Sequence, residues 1–537
     1  MYELSLTESF VPAQADAAVL DTTVGSCLRS AADAWSDAEA LVEITMDGSS
    51  GRRWTYQQLL DDSLRLAEAL TTRFAKGDRI CVWAPNIPEW VLVEYACGFA
   101  GIVLVTANPA YQVAELRYVL EQSEAAALFL VSEYRGNPMQ AIAAEAADGI
   151  DGLREVTDLR DAEALYAHDG PVGPLPEVAP DDAAQIQYTS GTTGFPKGAV
   201  LHHQGLTNNA RFYAARQRAQ QDDVWAGIMP LFHTAGCAMA VLGAVQNGLK
   251  LLLVPVFDPV AILKLVEREG MNALLGVPTM LVALVAAQKE MQIDTTPIRV
   301  AGSGGSMVAP DLVRVVKETF GCEFVTVYGQ TESSPLITMH YRTDTIEDVC
   351  SSVGQPMPQT EVSIRSMDDN SVVPVDTQGE ICVRGYTVMH GYNNNDEATS
   401  AAIDDGGWLH TGDLGAMDAR GYVRVTGRVK EMIIRGGENL FPAEIENVLL
   451  DHPDVAEVAV VGLPDDKWGE VVACFVRSEA EVDVAALRGH CRARMAPQKT
   501  PTVWVSVAAF PLTGSGKIQK FKLAQDFVAG EYTALDA

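Results

Sequence analysis

The stretch YTSGTTGFPKG, Tyr188 to Gly198, gives nine of its eleven positions to Thr, Ser, Gly, Pro and Lys. It continues an apolar run, Ala183 to Tyr188, that reads as a strand. Hydroxyls and glycines gathered in one turn present unobstructed backbone N–H groups, which fold into an anion-binding nest, and Lys197 adds a positive charge. Phosphate is the ligand this chemistry suits. The loop is not a Walker A sequence, which needs Gly before the Lys and Ser or Thr after it; here Pro196 precedes and Gly198 follows. A strand that opens into an anion-binding loop predicts an α/β chain, because open α/β sheets bind ligands beyond the carboxyl ends of their strands.

Outward from this loop, short apolar runs (Arg79 to Trp83, Ala127 to Val131, Leu251 to Val256, Glu323 to Tyr328) alternate with stretches of helical spacing such as Glu89 to Phe99. That alternation predicts α/β layering with mixed, partly parallel sheets. The Pro-rich segment 171–180 reads as an exposed connection and a subdomain break. After Gly427-Arg428-Val429-Lys430 the pattern restarts on a smaller scale, with a helix over Pro442 to Leu450, strands over Val455 to Val461 and Val471 to Val476, and a helix over Ala485 to Arg494. At 537 residues the chain is too long for one core. The expected division is a large multi-subdomain N-terminal domain, 1–429, and a small α+β C-terminal domain, 430–537.

The formal net charge of −32 argues against nucleic acid or an anionic membrane as a general partner. One stretch breaks the acidity. Val484 to Gln525 holds no Asp or Glu, yet contains Arg488, Arg492, Arg494, Lys499, Lys517, Lys520 and Lys522, which points to an anionic ligand passing nearby. The nine cysteines are scattered and form no Cys-x-x-Cys, so neither a disulfide framework nor a zinc knuckle is indicated. The most apolar window, Ala273 to Ala287, is shorter than a membrane span and is interrupted by Gly276 and Pro278. The start of the chain lacks the charged and apolar regions of a secretory signal. A soluble, cytoplasmic protein with no membrane span is expected.

Three more loops carry chemistry. Tyr328-Gly329-Gln330-Thr331-Glu332 follows an apolar run; Tyr can stack on a base, Thr can bond a phosphate oxygen, and Glu is a hard oxygen ligand suited to Mg2+. Gly302-Ser303-Gly304-Gly305-Ser306 offers flat backbone for an adenine. Thr411-Gly412-Asp413 sets a carboxylate where it can accept both hydroxyls of a ribose. Each is commonly just a turn when met alone.

Together, in this order, the motifs resemble the adenylate-forming (AMP-binding) superfamily, in its acyl-CoA synthetase and fatty-acid-CoA ligase branch. The resemblance covers nearly the whole chain: YTSGTTGFPKG matches the phosphate loop, YGQTE the adenine and magnesium motif, HTGD the ribose motif, GRVKEMIIRGGENLFPAEIE the hinge and thiolation loop, and PLTGSGKIQK the C-terminal lysine motif. The resemblance implies that Thr189, Ser190, Gly191, Thr192, Thr193, Gly194 and Lys197 grip the β and γ phosphates of ATP. Glu332 would hold Mg2+, Thr331 would touch the α-phosphate, and Tyr328, Gly329, Gly304, Gly305 and Ser306 would flank adenine. Asp413 and Arg428 would bind ribose, and Lys517 would bridge the substrate carboxylate and the phosphate. The small domain would then swing about a hinge at 428–430, with Lys430 the hinge residue, and bring Arg435, Gly436, Gly437, Glu438 and Asn439 to the cleft for attack by the thiol of CoA or of a carrier-protein phosphopantetheine.

Pro230-Leu231-Phe232-His233-Thr234 resembles the acyl-pocket segment, with His233 as a gate or wall rather than a base, since the attacking carboxylate is already ionised. Phe232, His233, Cys237, Met239, Val277, Gly302, Gly329 and Ser333 to Leu336, including Ser334 and Pro335, are wall candidates. None is a carboxylate, Lys or Arg, so an apolar acyl group is expected: a medium or long fatty chain, or a bulky alicyclic acid. The partners are thus a small carboxylic acid, ATP and CoA, with a homodimer allowed. The competing readings are an enzyme that loads a carrier protein, and a member that performs only the thioesterification step. A fatty acyl-AMP ligase fits less well, because only fourteen residues separate Ile364 from Gly379, where that branch carries an insertion.

Overall fold

The computed structural model describes residues 1–189, 196–306, 308–436, 438–465, 467–478, 482–512 and 518–535. Among the described residues four sheets are formed. The first contains seven strands in the order Gly391–Tyr392, Lys197–His202, Ala183–Thr189, Val103–Ala107, Arg79–Trp83, Ala127–Leu130, Glu155–Asp158. Its last five strands are parallel, and Lys197–His202 runs antiparallel to Ala183–Thr189. The second has nine strands; its middle runs Glu323–Gly329, Val300–Gly304, Ala273–Leu275, Val224–Gly227, Lys250–Leu253, all parallel.

The segment 171–180 does not divide one folding unit from the next, contrary to the expected subdomain break. Val103–Ala107 lies before it and Ala183–Thr189 after it, and the two pair directly. Glu39–Ile44 and Ser50–Thr55, near the start of the chain, belong to the nine-stranded sheet with strands that follow residue 220. Sheet membership here is decided by long-range pairing, which composition does not record.

Helix Pro88–Ala100 is buried at every residue. It is apolar all round apart from Glu89 and Glu94, as befits a helix packed on all sides. Proline at its first position supplies a preset φ, and Gly101 in the left-handed region ends it. The window Ala273 to Ala287 resolves into a strand, Ala273–Leu275, and a helix, Pro278–Met291, that begins at the proline.

A third, antiparallel sheet joins Phe10–Val11, Thr360–Arg365, Gly379–Gly385, Leu409–Met417 and Val423–Arg428. The fourth is built from Glu438–Leu440, Ile433–Arg435, Gly469–Arg477 and Glu457–Asp465, with Val503–Ser506 added parallel to Gly469–Arg477. This sheet is covered on both faces. Val458 and Val460 point to helices Pro442–Leu450 and Val484–Arg492, while Ala459 and Val461 point to Lys520–Val528. The alternation follows from the two-residue period of a strand.

Candidate active site

Thr189 ends its strand and pairs with Lys197, the first residue of the next. Between them lie Ser190, Gly191, Thr192, Thr193 and Gly194, which fall outside the described residues. The Lys197 ammonium sits 4.8 Å from the centre of the Tyr392 ring. The Tyr392 hydroxyl donates to Glu332 Oε1 at 2.8 Å, and the Met389 N–H donates to the Glu332 carbonyl at 2.9 Å. Burial, reinforced by the Glu332 charge, holds the Tyr392 phenol above its usual range, so it remains a donor at neutral pH. Lys197 and Glu332, far apart in sequence, therefore both contact Tyr392, one at its ring and the other at its hydroxyl. Thr331 is buried in the short turn Thr331–Ser333 beside Glu332. Sequence reasoning missed Tyr392, which carries no motif of its own.

Tyr328 and Gly304 occupy the ends of adjacent parallel strands, and Gly305 and Ser306 lie exposed just beyond. Residues 302–304, read from sequence as flat backbone just after a strand, are themselves the end of that strand. The Tyr328 hydroxyl donates to Asp413 Oδ2 at 2.9 Å, and Arg428 Nε donates to Asp413 Oδ1 at 3.0 Å. Asp413 and Arg428 are register partners on neighbouring strands. Thr411-Gly412-Asp413 is likewise not a free turn but a bulge inside the strand Leu409–Met417. Gly412 takes φ +72°, a conformation that favours glycine.

Pro230 to Thr234, expected to line the acyl pocket, leads into a π-helix, Ala235–Leu242. Such helices are rare and recur at functional sites. His233 and Phe232 are half-buried. The His233 N–H donates to the Pro230 carbonyl at 3.1 Å, and its own carbonyl accepts from Gly236 at 2.8 Å and Cys237 at 3.2 Å. The chain closes so tightly that a Cβ at Gly236 would lie 2.2 Å from the Pro230 oxygen. Val277 is half-buried just before its helix, and Met239, Gly302 and Gly329 stand in the π-helix, in one strand and at the end of another.

Two wall candidates turn elsewhere. Cys237 has no exposed surface, and its thiol lies 3.1 Å from Gln187 Nε2 and 3.4 Å from Gln185 Oε1. Gln185 in turn donates to Glu94 at 2.8 Å, and burial lifts that carboxyl well above the usual range. The Cys237 thiol thus belongs to a polar chain in the core. Ser334 is also fully buried, with its hydroxyl turned toward Gly205 of the helix His203–Arg216. Pro335 serves through its backbone, accepting from the Gln330 N–H at 2.9 Å.

In the smaller part of the chain, Lys430 lies exposed in the turn Val429–Glu431. Arg435 and Glu438 face each other across a tight hairpin, with Gly436 at φ +61°. Gly437 and Lys517 fall outside the described residues. Beside this hairpin Trp468 is 41% exposed, with the Arg435 guanidinium 5.1 Å and the Lys467 ammonium 4.7 Å from its ring. Sequence reasoning did not single out Trp468, since a single Trp has no pattern. The acid-free stretch is only partly available to an anion: Lys499 pairs with Glu444 at 2.5 Å, and Lys520 pairs with Glu431 and Glu446, each at 2.8 Å.

A model described as "AMP-binding enzyme" matches residues 28–393, and one described as "AMP-binding enzyme C-terminal domain" matches residues 444–517. The chain belongs to the AMP-binding enzyme family. It is 34% identical over 539 residues to the mitochondrial medium-chain acyl-CoA ligase ACSF2 of Homo sapiens, covering 94% of this chain and 87% of the relative. Among solved structures, a fatty acyl CoA synthetase of Mycobacterium tuberculosis superposes with a TM-score of 0.76 at 30% identity, over 95% of this chain and 99% of that one. The o-succinylbenzoate CoA synthetase MenE of Bacillus subtilis, in complex with ATP and magnesium ion, gives 0.80 at 29% identity, over 93% and 99%. The chain has the adenylate-forming fold and is an AMP-forming acid–thiol ligase of the acyl-CoA synthetase type. No helix among the described residues is long and apolar enough to cross a membrane.

Proposed function

We propose that this enzyme activates an apolar, medium-chain carboxylic acid with ATP and passes the acyl group to CoA. The observation that carries the reading is that Lys197, Tyr392 and Glu332 form one cluster of contacts and Tyr328, Asp413 and Arg428 form another. The first cluster suits a triphosphate with its cation, the second a nucleoside. Glu332 has the hard oxygen chemistry Mg2+ requires, and a carboxylate that accepts one hydrogen bond keeps further lone pairs for a metal. The ion would supply charge neutralisation at the phosphates.

In the first step a carboxylate oxygen of the acid attacks the α-phosphorus, forming the acyl–phosphate bond as pyrophosphate leaves. Two anions meet, so fixed cations and N–H groups that await the developing charge lower the barrier. Lys197, residues 189–194 and Lys517 take that role in this reading, while Asp413 and Arg428 hold the sugar and Thr331 touches the α-phosphate. In the second step the thiol sulfur attacks the acyl carbon and AMP leaves.

A domain boundary at 429/430 is supported by the ties on either side of it. Arg428 is bound to Asp413 in the large part, and Glu431 is bound to Lys520 in the small part, which leaves Val429 and Lys430 between two anchored neighbours. A rotation there would carry the hairpin of Arg435 and Glu438 to the cleft. CoA is favoured over a carrier protein by the exposed Trp468 between Arg435 and Lys467, an aromatic face with two cations that suits a phosphorylated adenine nucleotide. The medium-chain assignment follows the name of the human relative and the apolar Phe232, Met239 and Val277. The test is acid-dependent exchange of labelled pyrophosphate into ATP without CoA. Exchange with medium-chain acids supports the reading, and its absence with every acid contradicts the adenylation step.

A further inference from the structure

The bulge that carries Asp413 is held by the neighbouring strand. Across the strand pair Gly379–Gly385 and Leu409–Met417, Cys382 faces His410 while Glu380 faces Leu414. Ile381 alone therefore stands opposite Thr411, Gly412 and Asp413. Inserting residues in this way leaves backbone groups without ladder partners and aims side chains out of register. The Gly412 N–H is the group most exposed to that loss. It donates to Glu380 Oε1 at 2.9 Å, and Thr411 Oγ1 donates to the Ile381 carbonyl at 2.7 Å while accepting from the Asp413 N–H at 3.1 Å.

Glu380 is itself held. Its Oε2 lies 2.7 Å from His410 Nδ1, and His410 Nε2 lies 3.6 Å from Asp404 Oδ2. Asp404 Oδ1 accepts from the Gly406 and Trp408 N–H groups, each at 2.9 Å, and Arg365 approaches Oδ2 at 3.6 Å. Glu380, Cys382 and His410 also present ligand atoms within 4.8 Å of one another. Pairing accounts for this closeness: Glu380 Oε1 accepts from the Gly412 N–H and Oε2 meets His410 Nδ1.

We propose that Glu380 and His410 are positioning residues for the nucleotide sugar: the chain Asp404–His410–Glu380 fixes the bulge at Gly412 so that the Asp413 carboxylate faces the ribose hydroxyls. The proposal rests on the reading of Asp413 as the ribose ligand. It needs no contact between Glu380 or His410 and the nucleotide, and it assigns to the glutamate of the strand Gly379–Gly385 a role in nucleotide choice.

The experiment compares ATP, 2′-deoxy-ATP and 3′-deoxy-ATP in the acid-dependent pyrophosphate exchange of the full-length enzyme. Wild type is compared with Glu380→Ala, Glu380→Gln and His410→Ala, and thermal unfolding is followed for each. The expected result is a wild type that prefers ATP, and a Glu380→Ala enzyme whose KM for ATP rises about tenfold while the preference over the deoxy nucleotides collapses toward unity. Glu380→Gln keeps an acceptor for Gly412 but loses the charge that pairs with His410, so it falls between, as does His410→Ala. A folded Glu380→Ala that loses activity yet keeps the wild-type preference overturns the proposal, because a merely structural role weakens all three nucleotides alike. Should Glu380→Ala not fold, wild-type preference in both Glu380→Gln and His410→Ala overturns it equally. A wild type indifferent to the sugar hydroxyls overturns the reading of Asp413 as well, and so separates the two failures.

Discussion

In the proposed nucleotide site, charged hydrogen bonds link Asp413 to Tyr328, 85 residues away in sequence, and to Arg428 on the neighbouring strand, and Glu332 to Tyr392, 60 residues away. In the proposed acyl site, the Pro230 to Thr234 segment and the π-helix Ala235–Leu242 are set by backbone turns and close packing, and the Cys237 thiol is turned into the core. The first side fixes directions in space, and the second fixes mainly a shape. Preorganised dipoles and charges act on developing phosphate charge and so decide which reaction runs. An apolar wall discriminates by about 1 to 3 kcal/mol per methylene and so decides only loosely which acid enters.

The widest separation between the two sides comes from Lys517→Ala. Acyl-adenylate formation falls by about 100-fold to 1000-fold, the loss typical of one charge-stabilising donor, while thioester formation from a supplied acyl-adenylate stays within about threefold. Stopped assays of each half-reaction check this, and equal loss in both breaks the assignment of the lysine to the first step. Glu332→Gln removes the charge that suits Mg2+. Adenylation falls by about 100-fold at fixed Mg2+ and recovers in part as Mg2+ is raised, read by titrating the ion, with the KM of the acid unchanged.

Tyr392→Phe is milder. It deletes one hydrogen bond to a carboxylate, a loss of about 1.5 kcal/mol, and appears as a rise in KM for Mg-ATP of roughly tenfold, with the profile across acids retained. A shift in that profile would show that the two sides are coupled. The smallest effect belongs to the acyl wall: Val277→Phe moves the preference toward shorter acids by about tenfold while KM for ATP holds, measured as kcat/KM across a graded series.

The same contrast explains what the sequence could tell. The family was legible because the chemistry of Tyr188 to Gly198 is contiguous: hydroxyls, glycines and a lysine within eleven residues. Alternating short strands and helices made the α/β class legible, and the buried helix Pro88–Ala100 agrees within a residue or so with the stretch Glu89 to Phe99. Pairing over long separations was not legible, so 171–180 looked like a break where the sheet in fact continues from Val103–Ala107 to Ala183–Thr189. The bulge at Thr411 to Asp413 depends on register with the opposite strand, and the π-helix on a hydrogen-bond period that apolar spacing does not encode. Tyr392 and Trp468 gain meaning only from their neighbours, Glu332 and Lys197 for one, Arg435 and Lys467 for the other.

The central claim is that one cleft makes an acyl-adenylate and then an acyl-CoA. It is tested most directly by mass spectrometry of the products formed from Mg-ATP and acids of graded chain length, with and without CoA. The account predicts acyl-adenylate with medium-chain acids when CoA is absent, converted to acyl-CoA when it is present. A synthetic acyl-adenylate that yields acyl-CoA, from an enzyme that makes no adenylate from any acid, would contradict it.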